Sequence, residues 1–320
     1  MFSSMNFFFF FILIMTTLMA ISAEFWFQLW VALEINMMMF LPLMFNKDNL
    51  SINSMMKYFL VQAFASSMFI FTMIISHKFM WVILNENLTV MSMLTKLGMF
   101  PVFFWFPQVS EGLSWFSFTL LSTWQKIIPL YVISSSSKMM FTAVIIASAL
   151  AGCLGMLNQS SLRKMFAYSS MTHMSWMLLG MMNSSSSWFT YFSIYSIIMV
   201  CVYMLFKPMN MSHIDSIKIF TNPMSTISLV VSMMSLSGLP PFLGFFPKWM
   251  MISGSNSGYI FILFVLIISS LVSTFVYLRM LFPLIFNKNK ITKKIETTAI
   301  SMPVLVNSLL MIPLCPLIFF

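Results

Sequence analysis

Apolar runs of about twenty residues, separated by short polar links, recur from one end of this chain to the other. Read as helices, they fall at about 5–22, 25–45, 56–76, 88–107, 114–133, 139–157, 165–182, 188–206, 224–250, 258–286 and 299–319, eleven in all. The polar links are Asn46–Ser54, Lys78–Asn87, Asn158–Lys164, Lys207–Asn222 and Asn287–Thr298. In lipid only helices and closed barrels satisfy their own backbone, and these runs are too long and too evenly apolar for barrel strands. The pattern predicts an all-α polytopic membrane protein, one transmembrane domain over residues 1–320.

Two of the runs are interrupted. The fourth contains Lys96, Gly98, Pro101 and Pro107, and the ninth contains Gly238-Leu239-Pro240-Pro241-Phe242-Leu243-Gly244 followed by Pro247-Lys248. A proline inside a helix removes one backbone bond and clashes with the preceding turn. Membrane proteins tolerate this where the freed carbonyls line a polar cavity. The breaks lie five helices apart, a spacing that reverses direction through the membrane. The expectation is therefore two inverted five-helix repeats, about 1–135 and 139–286, each with a broken helix, plus a C-terminal helix at about 299–319.

Composition agrees with the pattern. The chain is 60% apolar and 7% charged, with a mean hydropathy of +0.95. No link is long enough for a separate soluble domain. The net charge of +9 reads as topology. Ten basic residues (Lys47, Lys57, Arg163, Lys164, Lys207, Lys218, Lys288, Lys290, Lys293 and Lys294) fall on the side of the N-terminus, against Lys78 and Lys138 opposite. Such a bias places the N-terminus on the matrix or cytoplasmic face and the C-terminus across the membrane. No helix carries a basic face with interleaved aromatics, so nucleic acid is not a partner. Cys153, Cys201 and Cys315 are far apart, and no GxGxxG or P-loop is present. The chain is expected to hold no metal, nucleotide or redox cofactor of its own. Met1–Ser22 lacks the basic start of a signal or transit peptide and reads as a retained first span. Met and Phe, 37 each, with serine runs, suit an AT-rich organellar genome.

Against that background four charges fall inside spans: Glu34, Lys96, Lys126 and Lys248. An ionisable group near the bilayer centre costs roughly 2.5–3.5 kcal/mol on insertion scales, so each needs a reason. Lys96 is placed about eight residues into the fourth span, roughly 12 Å deep at 1.5 Å per residue. Burial disfavours an ammonium and a nearby carboxylate favours it, so a lysine between the two can take up and release a proton. Glu34 is the candidate carboxylate; the alternative is a fixed Glu–Lys pair that locks two helices. Lys126 lies mid-span in Thr123-Trp124-Gln125-Lys126-Ile127-Ile128-Pro129, where Pro129 loosens the helix. Lys248 follows the second break and either functions there or snorkels towards an exit. His173, beside Tyr168, Ser169 and Ser170, is a proton relay or a satisfied structural group. Arg163 and Lys164 read as anchors, Arg279 as a snorkelling residue, and Glu24 and Glu111 as solvated charges at span ends.

Several stretches carry a resemblance. They are Leu33-Glu34-Ile35-Asn36, Lys96-Leu97-Gly98 leading to Phe104-Trp105-Phe106-Pro107, Thr123-Trp124-Gln125-Lys126, Leu157-Asn158-Gln159-Ser160-Ser161-Leu162-Arg163-Lys164, Thr172-His173-Met174-Ser175-Trp176 and Gly238-Leu239-Pro240-Pro241-Phe242-Leu243-Gly244-Phe245 with Lys248. In this order, from about residue 25 to 285, the chain resembles the subunit 2 family of mitochondrial NADH dehydrogenase (respiratory complex I), from an invertebrate animal. The resemblance implies an antiporter-like subunit of two inverted five-helix units, shortened at its N-terminus, in the mitochondrial inner membrane. It implies a proton path with Glu34 as charge partner, Lys96 as central carrier, Lys126 as connecting lysine and Lys248 as terminal lysine. NADH, FMN, iron–sulfur clusters and ubiquinone would then sit on other subunits of the proton-translocating NADH:ubiquinone reductase. Subunits 4 and 4L would be neighbours, with membrane lipid around them. Two other readings stay open: a stand-alone cation/proton antiporter of the same fold, and a structural spacer whose buried charges only fix packing.

Overall fold

The computed structural model describes residues 4–78, 82–136, 138, 140–184, 186–209, 211–214, 216 and 223–286. The expected C-terminal helix at 299–319, the link 287–298 and Cys315 lie outside them. Among the described residues the regular structure is helical, apart from one isolated bridge between Ser161 and His213 that ties two links by Leu162 N–H to Ser212 O and Ile214 N–H to Ser160 O, each 3.0 Å. The chain divides into two compact units, Met1–Val144 and the residues from Ile145 onward.

The first unit is built from α1 (Ser4–Ile21), α2 (Trp26–Met44), α3 (Asn49–Lys78), α4 (Val82–Leu97), α5 (Trp105–Gly112), α6 (Trp115–Ser122) and α7 (Ile127–Ser134), with a 3₁₀ turn at Trp124–Lys126. α1 and α3 pack on α2, α3 packs on α4 and α5, and α7 packs on α4 and α1. α8 (Phe141–Leu157) leads into the second unit, which holds α9 (Leu162–Asn183), α10 (Ser187–Phe206), α11 (Pro223–Ser237), α12 (Phe245–Ser253) and α13 (Ile260–Phe286). There α9 packs on α10, α12 and α13, and α10 and α13 pack on α11.

Trp26–Met44, Asn49–Ile75, Ser187–Phe206 and Ser257–Leu284 are each long and apolar enough to cross a membrane; Met5–Ile21, Phe141–Leu157 and Ser225–Ser237 are shorter apolar helices. The distribution of side chains is that of a protein in lipid. On α13, Leu266, Ser269, Ser273, Val276, Tyr277 and Met280 form a buried stripe at three- and four-residue spacing, while Phe261, Phe264, Leu271 and Phe275 point outward. Many interior serine and threonine hydroxyls donate within their own helix, as when Ser269 donates to Leu266 O at 2.8 Å and Thr72 to Phe69 O at 2.6 Å. The Ser-rich composition is thus compatible with a dry interior. α9 is the extreme case, burying Ser169, Ser170, Thr172, His173 and Ser175. It tolerates polar positions because neighbouring helices, rather than lipid, cover it. α8 comes close to α9 at Gly152 and Gly155, where a Cβ would collide with Tyr168 and Thr172.

Several boundaries differ from the sequence reading. α3 starts at Asn49, seven residues before the expected position 56, because Asp48 O accepts from Ser51 and Ile52 N–H and opens the helix inside the presumed link. The fourth expected span is α4 plus α5, and the ninth is α11 plus α12. The fifth is also divided, at Thr123, which the sequence reading treated as one run. Arg279 is exposed, and its guanidinium donates to Leu157 O at 3.2 Å, at the end of α8.

Candidate functional site: two broken helices and their lysines

Both principal breaks have the same local cause. At the first, Gly98 takes φ +70°, its N–H donates to Thr95 O at 3.2 Å, and Met99 N–H reaches back to Leu94 O at 3.1 Å. At the second, Gly238 takes φ +77°, its N–H donates to Ser235 O at 3.1 Å, and Leu239 N–H reaches Met234 O at 3.4 Å. Each is a Schellman stop, which needs a left-handed residue where glycine alone carries no Cβ penalty. The prolines that follow, Pro101 and Pro240-Pro241, keep the chain from resuming a helix at once.

Lys96 is the penultimate residue of α4, not eight residues into a continuous span. It reaches the interior because its helix ends there. A cation in the last turn also meets the negative end of the helix dipole. Lys96 and Lys126 are 8% and 2% exposed, so neither extends to a polar surface. They line one cavity with Leu33, Asn36, Tyr58, Gln62, Phe106 and Gln125. The space open to water centres is about 20 Å³, just above the roughly 10–15 Å³ that one water needs. The Lys126 ammonium lies 4.9 Å from the centre of the Phe106 ring, within cation–π range. Gln125 donates to Asn36 Oδ1 at 3.0 Å, joining the 3₁₀ turn to α2.

Glu34 is half-buried on α2 and lies off the cavity wall. Leu33, Asn36 and Met37 share the face that meets the cavity, and Glu34 is about 100° around the helix from Leu33. No hydrogen bond or ion pair joins Glu34 and Lys96 among the described residues, and Glu34 does not line the cavity that holds Lys96. A locked Glu34–Lys96 contact is therefore not what the structure shows.

In the second unit, Lys248 is 7% exposed and donates from Nζ to Ser237 O at 2.6 Å. The snorkelling alternative fails: the side chain turns inward from α12 to the freed carbonyl that ends α11. Gly238 makes room, since a Cβ there would stand 2.8 Å from Lys248 Nζ. His173 is buried, with Nδ1 2.9 Å from the Tyr191 hydroxyl and its ring 5.1 Å from that of Tyr195. Glu24 is exposed and Glu111 half-buried, both at helix ends. Cys153 and Cys201 are buried free thiols.

Asn36, Tyr58, Gln62 and Gln125 escaped the sequence search for chemistry. An Asn or Gln within an apolar run is itself an expensive residue in lipid, and that signal was available for three of them. Tyr58 and Tyr191 carry no such mark.

The transmembrane model of the NADH:quinone oxidoreductase/Mrp antiporter family matches residues 23–276. The NADH-ubiquinone oxidoreductase chain 2 of Anopheles gambiae is 41% identical over 86% of this chain and 85% of its own length. That of Locusta migratoria is 34% identical over 95% and 93%. Among solved structures, a chain of respiratory complex I from Thermus thermophilus superposes with a TM-score of 0.86 at 18% identity, covering 97% of this chain and 77% of that one. A chain of the Mrp complex from Dietzia gives 0.71 at 18% identity, over 79% and 55%. Matched along most of its length by the family model and by relatives of its own size, the chain belongs to the NADH:quinone oxidoreductase/Mrp antiporter family, among the NADH-ubiquinone oxidoreductase chain 2 proteins.

Proposed function

We propose that this chain is a proton-translocating subunit in the membrane arm of an NADH:ubiquinone oxidoreductase. The observation that carries this reading is the cavity at the first break, where Lys96 and Lys126 meet with space for water and buried amides around them. A soluble core would exclude two ammonium groups from such a place, and a lipid-facing helix would too. Glu34 supplies the charge that biases Lys96, Lys126 connects onward, and His173 with Tyr191 and Lys248 serve the second unit. Such groups bind and release protons but carry no electrons. NADH, FMN, iron–sulfur clusters and ubiquinone belong to other subunits, and the drive arrives as an electrostatic or conformational change.

The finer architecture goes with this reading. Eleven spans form two inverted repeats and a C-terminal helix; in support, each unit holds one helix, α4 or α11, that stops at a positive-φ glycine and is followed by a short helix. The chain sits in the mitochondrial inner membrane with its N-terminus in the matrix and its C-terminus in the intermembrane space, as the lysine bias indicates. Subunits 4 and 4L flank it. The test is Lys96→Met in the assembled complex. Coupled NADH–quinone turnover is expected to fall at least about tenfold, a barrier change near 1.4 kcal/mol, while NADH oxidation by an artificial acceptor at the hydrophilic arm stays normal. Normal coupled pumping in that variant would remove Lys96 from the path.

A further inference from the structure

The two breaks stop by the same backbone motif but satisfy the remaining carbonyls differently. At the end of α11, the outermost carbonyl, Ser237 O, is taken by a charged group, the Lys248 ammonium at 2.6 Å. At the end of α4, neutral donors do this work. The Trp105 indole N–H donates to Thr95 O at 3.0 Å, and Gln62 Nε2 donates to Lys96 O at 3.2 Å. Gln62 comes from α3, is 6% exposed, and lines the same cavity as Lys96 and Lys126.

A helix end buried away from water needs donors for its last carbonyls, and a lysine close by is the strongest donor at hand. In the second unit the lysine is engaged in that way. In the first, a carboxamide from another helix holds the carbonyl of Lys96, a residue that lines the cavity. We propose that Gln62 is a positioning residue for Lys96: by capping the Lys96 carbonyl it fixes the end of α4 and leaves the Lys96 ammonium to the cavity. The inference rests on the proposed proton path and specifies what orients its central lysine. Tyr58, one turn before Gln62 on α3, lines the same wall, so the α3 face is continuous there.

The experiment is a double-mutant cycle in the assembled complex, read as coupled NADH–quinone turnover per complex. Gln62→Met keeps the approximate length and removes the donor. It is expected to lower coupled turnover by about three- to tenfold, the range of one net hydrogen bond. Gln62→Asn, shorter by a methylene, is expected to do the same. The pair Gln62→Met with Lys96→Met should be no slower than Lys96→Met alone, because Gln62 acts only through Lys96. A purely structural contact would not show that coupling. Turnover that falls further in the double variant, or stays normal in Gln62→Met, overturns the inference. Failure of both Gln62 variants to assemble also overturns it, since Gln62 would then be a folding contact. An unimpaired Lys96→Met would instead strike the proposed proton path, and the inference with it; an impaired Lys96→Met beside a normal Gln62→Met strikes the inference alone.

Discussion

Gly238 shows how closely a single residue is specified around a buried cation. Its positive φ already disfavours any other residue, and an added Cβ would press on the Nζ, Cδ and Cε atoms of Lys248 at 2.8–2.9 Å. Gly238→Ala is expected to destabilise the second unit by at least about 1–2 kcal/mol. Thermal inactivation of the purified complex should show this as a lower midpoint, and an unchanged midpoint would mean that the break is not held by this contact. At this scale the charges inside apolar runs stood out in the sequence, and the structure buries three of them, Lys96, Lys126 and Lys248. The sequence was not legible where the decisive property was direction. Nothing in the order of residues shows that Lys248 turns back to Ser237 O, or that Asn36 rather than Glu34 shares the cavity face of α2.

Among the elements, the breaks after Leu97 and Ser237 could be read from their Gly and Pro residues. The division of the fifth span was legible only in part: Pro129 marked a loosening of the helix, whereas Thr123, six residues earlier, where α6 stops, gives no punctuation. Pro129 lacks the N–H that would bond to Gln125 O, so the turn before it is wound as 3₁₀ at Trp124–Lys126. Pro129→Ala restores that donor and is expected to rewind the turn, rotating Lys126 away from Phe106. Coupled turnover should fall about tenfold or more, in keeping with the cost of ångström-scale misplacement, while the complex still assembles. The abundance of the assembled complex on a native gel, set beside its turnover, separates this outcome from misfolding. α3 was misread by seven residues at its start for a related reason: the Asp48 carbonyl opens the helix within a polar stretch that hydropathy counts as a link.

For the whole molecule, the fold class followed from hydropathy because lipid reverses the usual economy of surface and core. Phe7, Phe8 and Phe11 are exposed on α1 while Thr16 and Thr17 are buried, each bonded to a carbonyl one turn earlier. Length and apolarity sufficed for that distinction, whereas the partition into two units depends on contacts between distant helices. A chain with this outward face and the proposed role is expected in the NADH-oxidising band of mitochondrial membranes resolved by native electrophoresis in mild detergent. Peptides of this chain found only in a smaller, NADH-inactive band would favour a free-standing antiporter.

α3 runs for 30 residues, about 45 Å at 1.5 Å per residue, across a hydrocarbon layer of roughly 30 Å. Such a helix must lean or project beyond the layer, and its inclination responds to bilayer thickness. Because Gln62 on α3 donates to the Lys96 carbonyl, a helix that leans with its bilayer would carry that donor with it, and coupled turnover is expected to vary with the acyl-chain length of the surrounding lipid.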